Sequence, residues 1–201
     1  MRPAERGEAL GLTVPGMASP PAADPARFAI VRAAADALVR AVARGIVPAE
    51  IISRASLENA VAVAAALGGS TNACLHILAI AAEAGIPFTL RDIDKISRRT
   101  PQLTDMKPAG RFMMRDLDAA GGVPAVMREL LAAGLIDGGA KTITGGTIAE
   151  DLEAVPSRPP HPVLRTVAKP MKPRGGYAVL IGSLAPDGAV MKIANEARMH
   201  H

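Results

Sequence analysis

Five residues carry the most chemical content in this chain: Gly68-Gly69-Ser70-Thr71-Asn72. They follow an Ala/Val run and precede a second apolar stretch, so they fall where one helix ends and the next begins. A helix N-terminus has free N–H donors and roughly half a positive charge. The two glycines let a small ligand or a neighbouring element approach the backbone, and Ser70, Thr71 and Asn72 add polar groups. That arrangement suits an anion or a carboxylate. It equally suits a plain helix break with an N-cap and close packing, and it lacks the lysine of a P-loop. A second candidate is the polar loop over residues 104–110, where Asp105 and Lys107 offer a carboxylate and an ammonium. The plain alternative is an exposed ion pair beside a helix start.

Cys74 and His76 are two apart on one predicted helix, hence about 200° apart, and do not share a metal. Cys74 reads as a small buried hydrophobe and His76 as a satisfied, partly buried histidine. The carboxylates Asp92, Asp94, Asp116, Asp118, Glu150, Asp151 and Glu153 read as solvated faces and first-turn charges. No Ser/His/Asp constellation or His-x-x-x-His pair is present, so from these residues alone no catalytic or metal-binding group is assigned.

These residues need elements to hold them. Residues 1–24, rich in Pro, predict a loop. Asp24 and Pro25 predict a helix start, followed by apolar residues at helical spacing (Phe28, Val31, Ala35, Leu38, Val39, Val42) up to Gly45. Ser56 predicts the cap of a buried helix to Leu67, since that stretch is apolar nearly all round. A helix over 72–84 follows. Thr89 with Asp92 predicts a capping box opening a helix to Arg99, and Thr147 with Glu150 another, ending near Val155. Two more helices are predicted over 111–120 and 123–133. Residues 156–162 read as a linker. Beyond it, residues 163–167, 177–182 and 189–194 read as strands, with Pro186-Asp187-Gly188 as the turn between the last two. The fold class is thus α/β: a helical part over 1–155 and a β part over 163–201. Three strands alone are marginal, which favours a homo-oligomer.

Composition narrows the function. The chain has 201 residues, 49% of them apolar but only 2% aromatic, and a net charge of +4. So few aromatics leave no stacking platform for single-stranded nucleic acid, and no block of like charge suggests a polyanion partner. One cysteine forms no internal disulfide and holds no iron–sulfur cluster by itself. The longest apolar run is too short for a membrane span, and no signal peptide is read at the start. The expectation is a cytoplasmic protein with no nucleic-acid or membrane partner.

Several blocks resemble the dihydroxy-acid dehydratase and phosphogluconate dehydratase family. They are Asn59 to Val63 running into Ala66 to Asn72, Leu75 to Ala81, Ile96 to Pro101, Met106 to Arg111, Ala120 to Met127, Lys172 to Leu180 and Leu184 to Lys192. The resemblance implies the end of an α/β/α domain followed by the first strands of a β-barrel domain. It implies a hydro-lyase that turns a small 2,3-dihydroxy acid, a branched-chain precursor or a sugar acid, into a 2-keto acid. It also implies an iron–sulfur cluster acting as Lewis acid on the leaving hydroxyl and Mg²⁺ holding the carboxylate end. The family's cluster cysteines, Mg²⁺ ligands and basic serine have no counterpart in this stretch. The resemblance therefore leaves no catalytic residue and no metal ligand here, and no cofactor is expected on this chain alone. Gly69, Ser70, Thr71, Asn72, Asp105 and Lys107 remain as substrate-binding walls. The reading is a dehydratase fragment, inactive alone. The rival is a non-catalytic remnant or a binding or scaffold module.

Overall fold

The run of small apolar residues forms the helix around which the protein is built. In the computed structural model, which describes residues 3–107 and 110–193, α4 (Arg54–Ala66) has Leu57 and every residue from Asn59 to Ala66 buried. Short side chains let neighbours pack against it from several directions. α1 (Pro3–Ala9), α5 (Thr71–Glu83), α6 (Leu90–Arg99) and α8 (Gly122–Ala132) all do so. The cap of α4 is Ser53, one turn before the predicted Ser56. Ser56 occupies the reciprocal position: its hydroxyl accepts from the Ser53 amide at 2.9 Å, while the Ser53 hydroxyl accepts from the Ser56 amide at 3.2 Å.

The predicted loop over 1–24 is corrected by α1. This helix is invisible to apolar periodicity because it buries charge: Glu5, Arg6 and Glu8 are all inside. The Glu8 carboxylate accepts from the Gly16 and Ala18 amides at 2.8 and 3.1 Å and so folds the following turn back onto α1. Burial pushes its pKa up to about 7. An acid whose folded pKa is raised binds its proton more tightly when folded, so stability is greatest below the unfolded pKa and falls as pH rises to about 7. We expect a loss of about 3 kcal/mol between pH 4.5 and 7 from this group. Urea midpoints across that range should show the slope in the wild type, and the slope should be missing from Glu8→Gln whatever its baseline stability.

The helix predicted with Asp24 as its cap and Pro25 as its first residue starts one residue later, as α2 (Ala26–Ala43) with Pro25 at the N-cap; the Asp24 carboxylate accepts from the Ala26 amide at 2.9 Å. A one-turn helix, α3 (Pro48–Ile51), lies between α2 and α4. The capping boxes at Thr89/Asp92 and Thr147/Glu150 are both formed, the second opening α9 (Ile148–Ala154). The helix predicted from Arg111 begins later, as α7 (Met114–Ala119). Phe112 is instead held in a bridge to Met106.

The β part is an antiparallel pair, β1 (Tyr177–Gly182) and β2 (Ala185–Lys192), with Val179 opposite Val190 and Leu180 opposite Ala189. Two expectations fail here. Residues 163–167 form no strand; Leu164 makes one bridge to Thr104, and burial of Val163 anchors the segment. Pro186-Asp187-Gly188 is not the hairpin tip. The tip is at Ser183 and Leu184, because Gly182 pairs with Ala185. The three residues instead oppose Ile181 alone, where the register shifts, and Gly188 has φ +100°. Turn chemistry is used for a bulge. The chain is thus an α/β fragment, with no helix among the described residues long and apolar enough to cross a membrane. His200 and His201 lie outside the described residues.

Candidate functional site

The α4–α5 junction is made by two glycines with different tasks. Gly68 takes φ +70°, closing the end of α4 as its amide donates to Ala65 O and that of Gly69 to Ala64 O. Gly69 is not among the glycines with positive φ. What it supplies is room for Tyr177: a Cβ there would lie 1.8 Å from the tyrosine hydroxyl and 2.8 Å from Ala64 O. Gly176 meets Gly68 in the same way, with its would-be Cβ 2.8 Å from the Gly68 carbonyl carbon. The buried Tyr177 hydroxyl donates to Ser70 O at 3.1 Å. The Ser97 hydroxyl donates to Tyr177 O at 2.9 Å and accepts from its amide at 3.3 Å. The β hairpin is therefore clamped to the turn that opens α5.

This turn forms one wall of a cavity of about 600 Å³. Gly68, Gly69, Ser70 and Thr71 line it together with Lys107 from the 104–110 loop and Lys192 from the end of β2. Met106, Phe112, Met113, Met114 and Leu67 make the apolar part, and α1 contributes the buried Glu5. Ser70 is the N-cap of α5 but makes no side-chain capping bond, so its hydroxyl is not committed to the helix. Burial of Lys192 holds its pKa below the usual lysine range, and an anion beside it favours the charged form. The site thus offers a helix N-terminus and two ammonium groups over an apolar floor.

Of the six residues expected here, Gly69, Ser70, Thr71 and Lys107 come together. Asn72 is exposed and does not line the cavity. Asp105 also stays off the wall; it takes an ion pair from Arg111 at 2.8 Å, and the Arg111 guanidinium sits 5.3 Å over the Phe112 ring. Asp105 O accepts from the Phe112 amide. Asp105 thus shapes the loop that carries Lys107. Lys192 was missed by sequence reasoning. Its only signal is a lone cation at the end of an apolar strand, which reads equally as a solvated face.

Cys74 is buried as expected, and burial pushes its thiol up to about 11. At pH 8 only about one thiol in a thousand is ionised. We expect a disulfide reagent to label the native protein at least about a hundredfold more slowly than the urea-unfolded chain, read by absorbance. His76 is exposed, not partly buried.

The family model described as Dihydroxy-acid/6-phosphogluconate dehydratase N-terminal matches residues 5–151, and its C-terminal counterpart matches residues 162–201. The chain belongs to this dehydratase family. A dihydroxy-acid dehydratase of Acidothermus cellulolyticus is 50% identical over 192 residues, covering 95% of this chain and 34% of the relative. One from Mycobacterium tuberculosis is 49% identical over 192 residues, covering 95% and 33%. One from Sulfolobus acidocaldarius is 48% identical over 189 residues, covering 93% and 34%. The chain therefore spans about a third of the length of the curated relatives it matches. The N-terminal match includes Gly68 to Thr71 and Lys107, and the C-terminal match includes Tyr177 and Lys192. The cavity of this dehydratase-family chain is thus built from both matched segments.

Proposed function

We propose that the chain is part of a dehydratase that converts a small 2,3-dihydroxy acid to a 2-keto acid, and that its cavity holds the acid's carboxylate end. The observation that carries this is the convergence of the α5 N-terminus, Lys107 and Lys192 on one cavity. The ammonium groups and the free N–H donors neutralise the carboxylate. Met106, Phe112, Met113 and Met114 exclude water around the rest of a short aliphatic acid, which strengthens those contacts.

The cofactors that the family implies do not fit the residues present. The one cysteine is buried and protonated at neutral pH. The described residues contain no group of three or more His, Cys, Asp or Glu side chains placed to hold a metal ion. Neither an iron–sulfur cluster nor Mg²⁺ has a full ligand set among the described residues. The role of this chain's residues is to bind and orient. That mismatch favours a second reading for the chain by itself: a module that binds the acid without turning it over.

Calorimetric titration with a short branched 2,3-dihydroxy acid, alongside a sugar acid, tests the proposal. The aliphatic acid should bind, and Lys107→Ala and Lys192→Ala should each weaken it about tenfold or more. The same changes in a full-length relative should lower turnover at low substrate concentration. Unchanged binding in both variants would overturn the assignment of the cavity.

A further inference from the structure

Three arginines that form no run in the sequence meet on one groove. Arg128 of α8, with Arg158 and Arg165 from the segment that follows α9, line a recess of about 230 Å³ together with Glu129 and His161. It shares no lining residue with the cavity at the start of α5. The two are neighbours through one ring contact, Phe112 of the cavity standing edge-on to His161 at 6.3 Å. Among the described residues no ion pair neutralises Arg128, Arg158 or Arg165. Glu129 is the one carboxylate in the lining, and it accepts from the Val167 amide at 3.2 Å. Arg158 acts on Asp118 only at longer range. The Nε and Nη2 groups of Arg128 donate to Leu152 O at 3.2 and 2.7 Å, and Nη2 also donates to Val155 O. Those acceptors are neutral, so they fix the guanidinium without cancelling its charge.

We propose that this groove is a binding site for a small phosphate-bearing anion, separate from the α5 cavity. Three features select phosphate. The first is charge: three guanidinium groups against the one carboxylate of Glu129 leave two positive charges. A phosphate monoester carries about 1.5–2 negative charges at pH 7, whereas a single carboxylate would leave one arginine uncompensated. The second is the donor set. The side chains of Arg158 and Arg165 are exposed and make no hydrogen bond among the described residues, and each guanidinium offers a planar fork of N–H donors that matches phosphate oxygens. His161 adds another donor: its Nδ1 accepts from the Val163 amide at 3.2 Å, which leaves the proton of the neutral ring on Nε2. The third is preorganisation. Arg128 is anchored on two carbonyls, and Pro159 and Pro160 fix φ at both positions between Arg158 and His161. Less freedom is then lost when a ligand orders these groups.

Calorimetric titration of the purified chain at constant ionic strength, with inorganic phosphate, phenyl phosphate, acetate and chloride, tests the proposal. Inorganic phosphate should bind at one site per chain, and acetate or chloride at the same ionic strength should not displace it. Arg158→Gln and Arg165→Gln should each weaken it about tenfold or more, and the double variant should abolish it. Both side chains are exposed, so the far-UV spectrum and Tm should not change. Arg91→Gln, which removes an exposed cation of α6 outside the groove, should leave binding as it is. Tighter binding of phenyl phosphate would assign the groove to an organic phosphate, and equal affinity would assign it to the free ion. A wild type that binds no phosphate would overturn the proposal, as would undiminished binding in the double variant. An equal loss in Arg91→Gln would overturn it by showing an adventitious ion only. Binding lost in Lys107→Ala but kept in Arg158→Gln would place the anion in the α5 cavity and overturn it too.

Discussion

Gly69→Val should unfold this protein at markedly lower temperature, while Ser70→Ala, one residue away, should barely change it. A Cβ at Gly69 would stand 1.8 Å from the Tyr177 hydroxyl and 2.2 Å from its Cζ, with Ala64 O 2.8 Å away. Rotating a flexible side chain does not relieve this, because the ring is buried and the third atom is backbone. Overpacking of that kind costs about 3 kcal/mol or more. For a chain of this size that is a fall of roughly 6–12 °C in Tm. Gly69→Ala should show most of the effect. Combining it with Tyr177→Phe should not rescue it, since Cζ remains in the way. Ser70→Ala removes a hydroxyl that caps nothing, so its change should stay within about 0.5 kcal/mol. Differential scanning calorimetry of the four variants reads all of this. Equal Tm for Gly69→Val and wild type would mean that the tyrosine does not occupy that space.

The second large effect belongs to Tyr177 itself. Tyr177→Ala should cost about 4 kcal/mol, from the lost burial, the cavity left behind and the loss of its bond to Ser70 O. Tyr177→Phe, which loses only the 3.1 Å hydrogen bond, should cost about 1 kcal/mol. The two variants should also differ in where protection is lost. Hydrogen exchange in Tyr177→Ala should rise first in β1 and β2, which have only each other as strand partners among the described residues. Amides of α4 and α8 should follow only with global unfolding. A uniform rise across the chain would show that hairpin and helices unfold together.

Particular residues explain how much of this was legible. The Thr89/Asp92 and Thr147/Glu150 boxes are local chemistry: the cap and its partner lie three residues apart, so the sequence contains the whole interaction. The buried α4 was legible because a helix apolar all round has only one place to go. α1 was not, because it buries charge, and Glu8 finds its partners in the Gly16 and Ala18 amides of the turn that follows. The Pro186-Asp187-Gly188 signal reads as a hairpin tip in the sequence because turn residues state a backbone preference and not a pairing register. At the cavity, Gly69, Ser70, Thr71 and Lys107 were found because glycines and a polar cap between two apolar helices are conspicuous. The reason for Gly69 was not legible, since it resides in Tyr177, more than a hundred residues downstream. Lys192 escaped for the same reason: only the fold brings the end of β2 to the start of α5.

The contact between Gly68-Gly69 and Gly176-Tyr177 also bears on how the polypeptide can be cut and rejoined. The exposed stretch 157–160 is the natural place for a protease to nick the chain. Arg128 stays on the N-terminal side of such a nick, bonded to the carbonyls of Leu152 and Val155. The hairpin on the far side remains keyed into the helix junction by its tyrosine and held by Ser97. The two pieces are therefore suited to complementation, each supplying half of one lock. A chimaera that exchanges one piece with a relative would need to keep the small residues and the ring as a matched set.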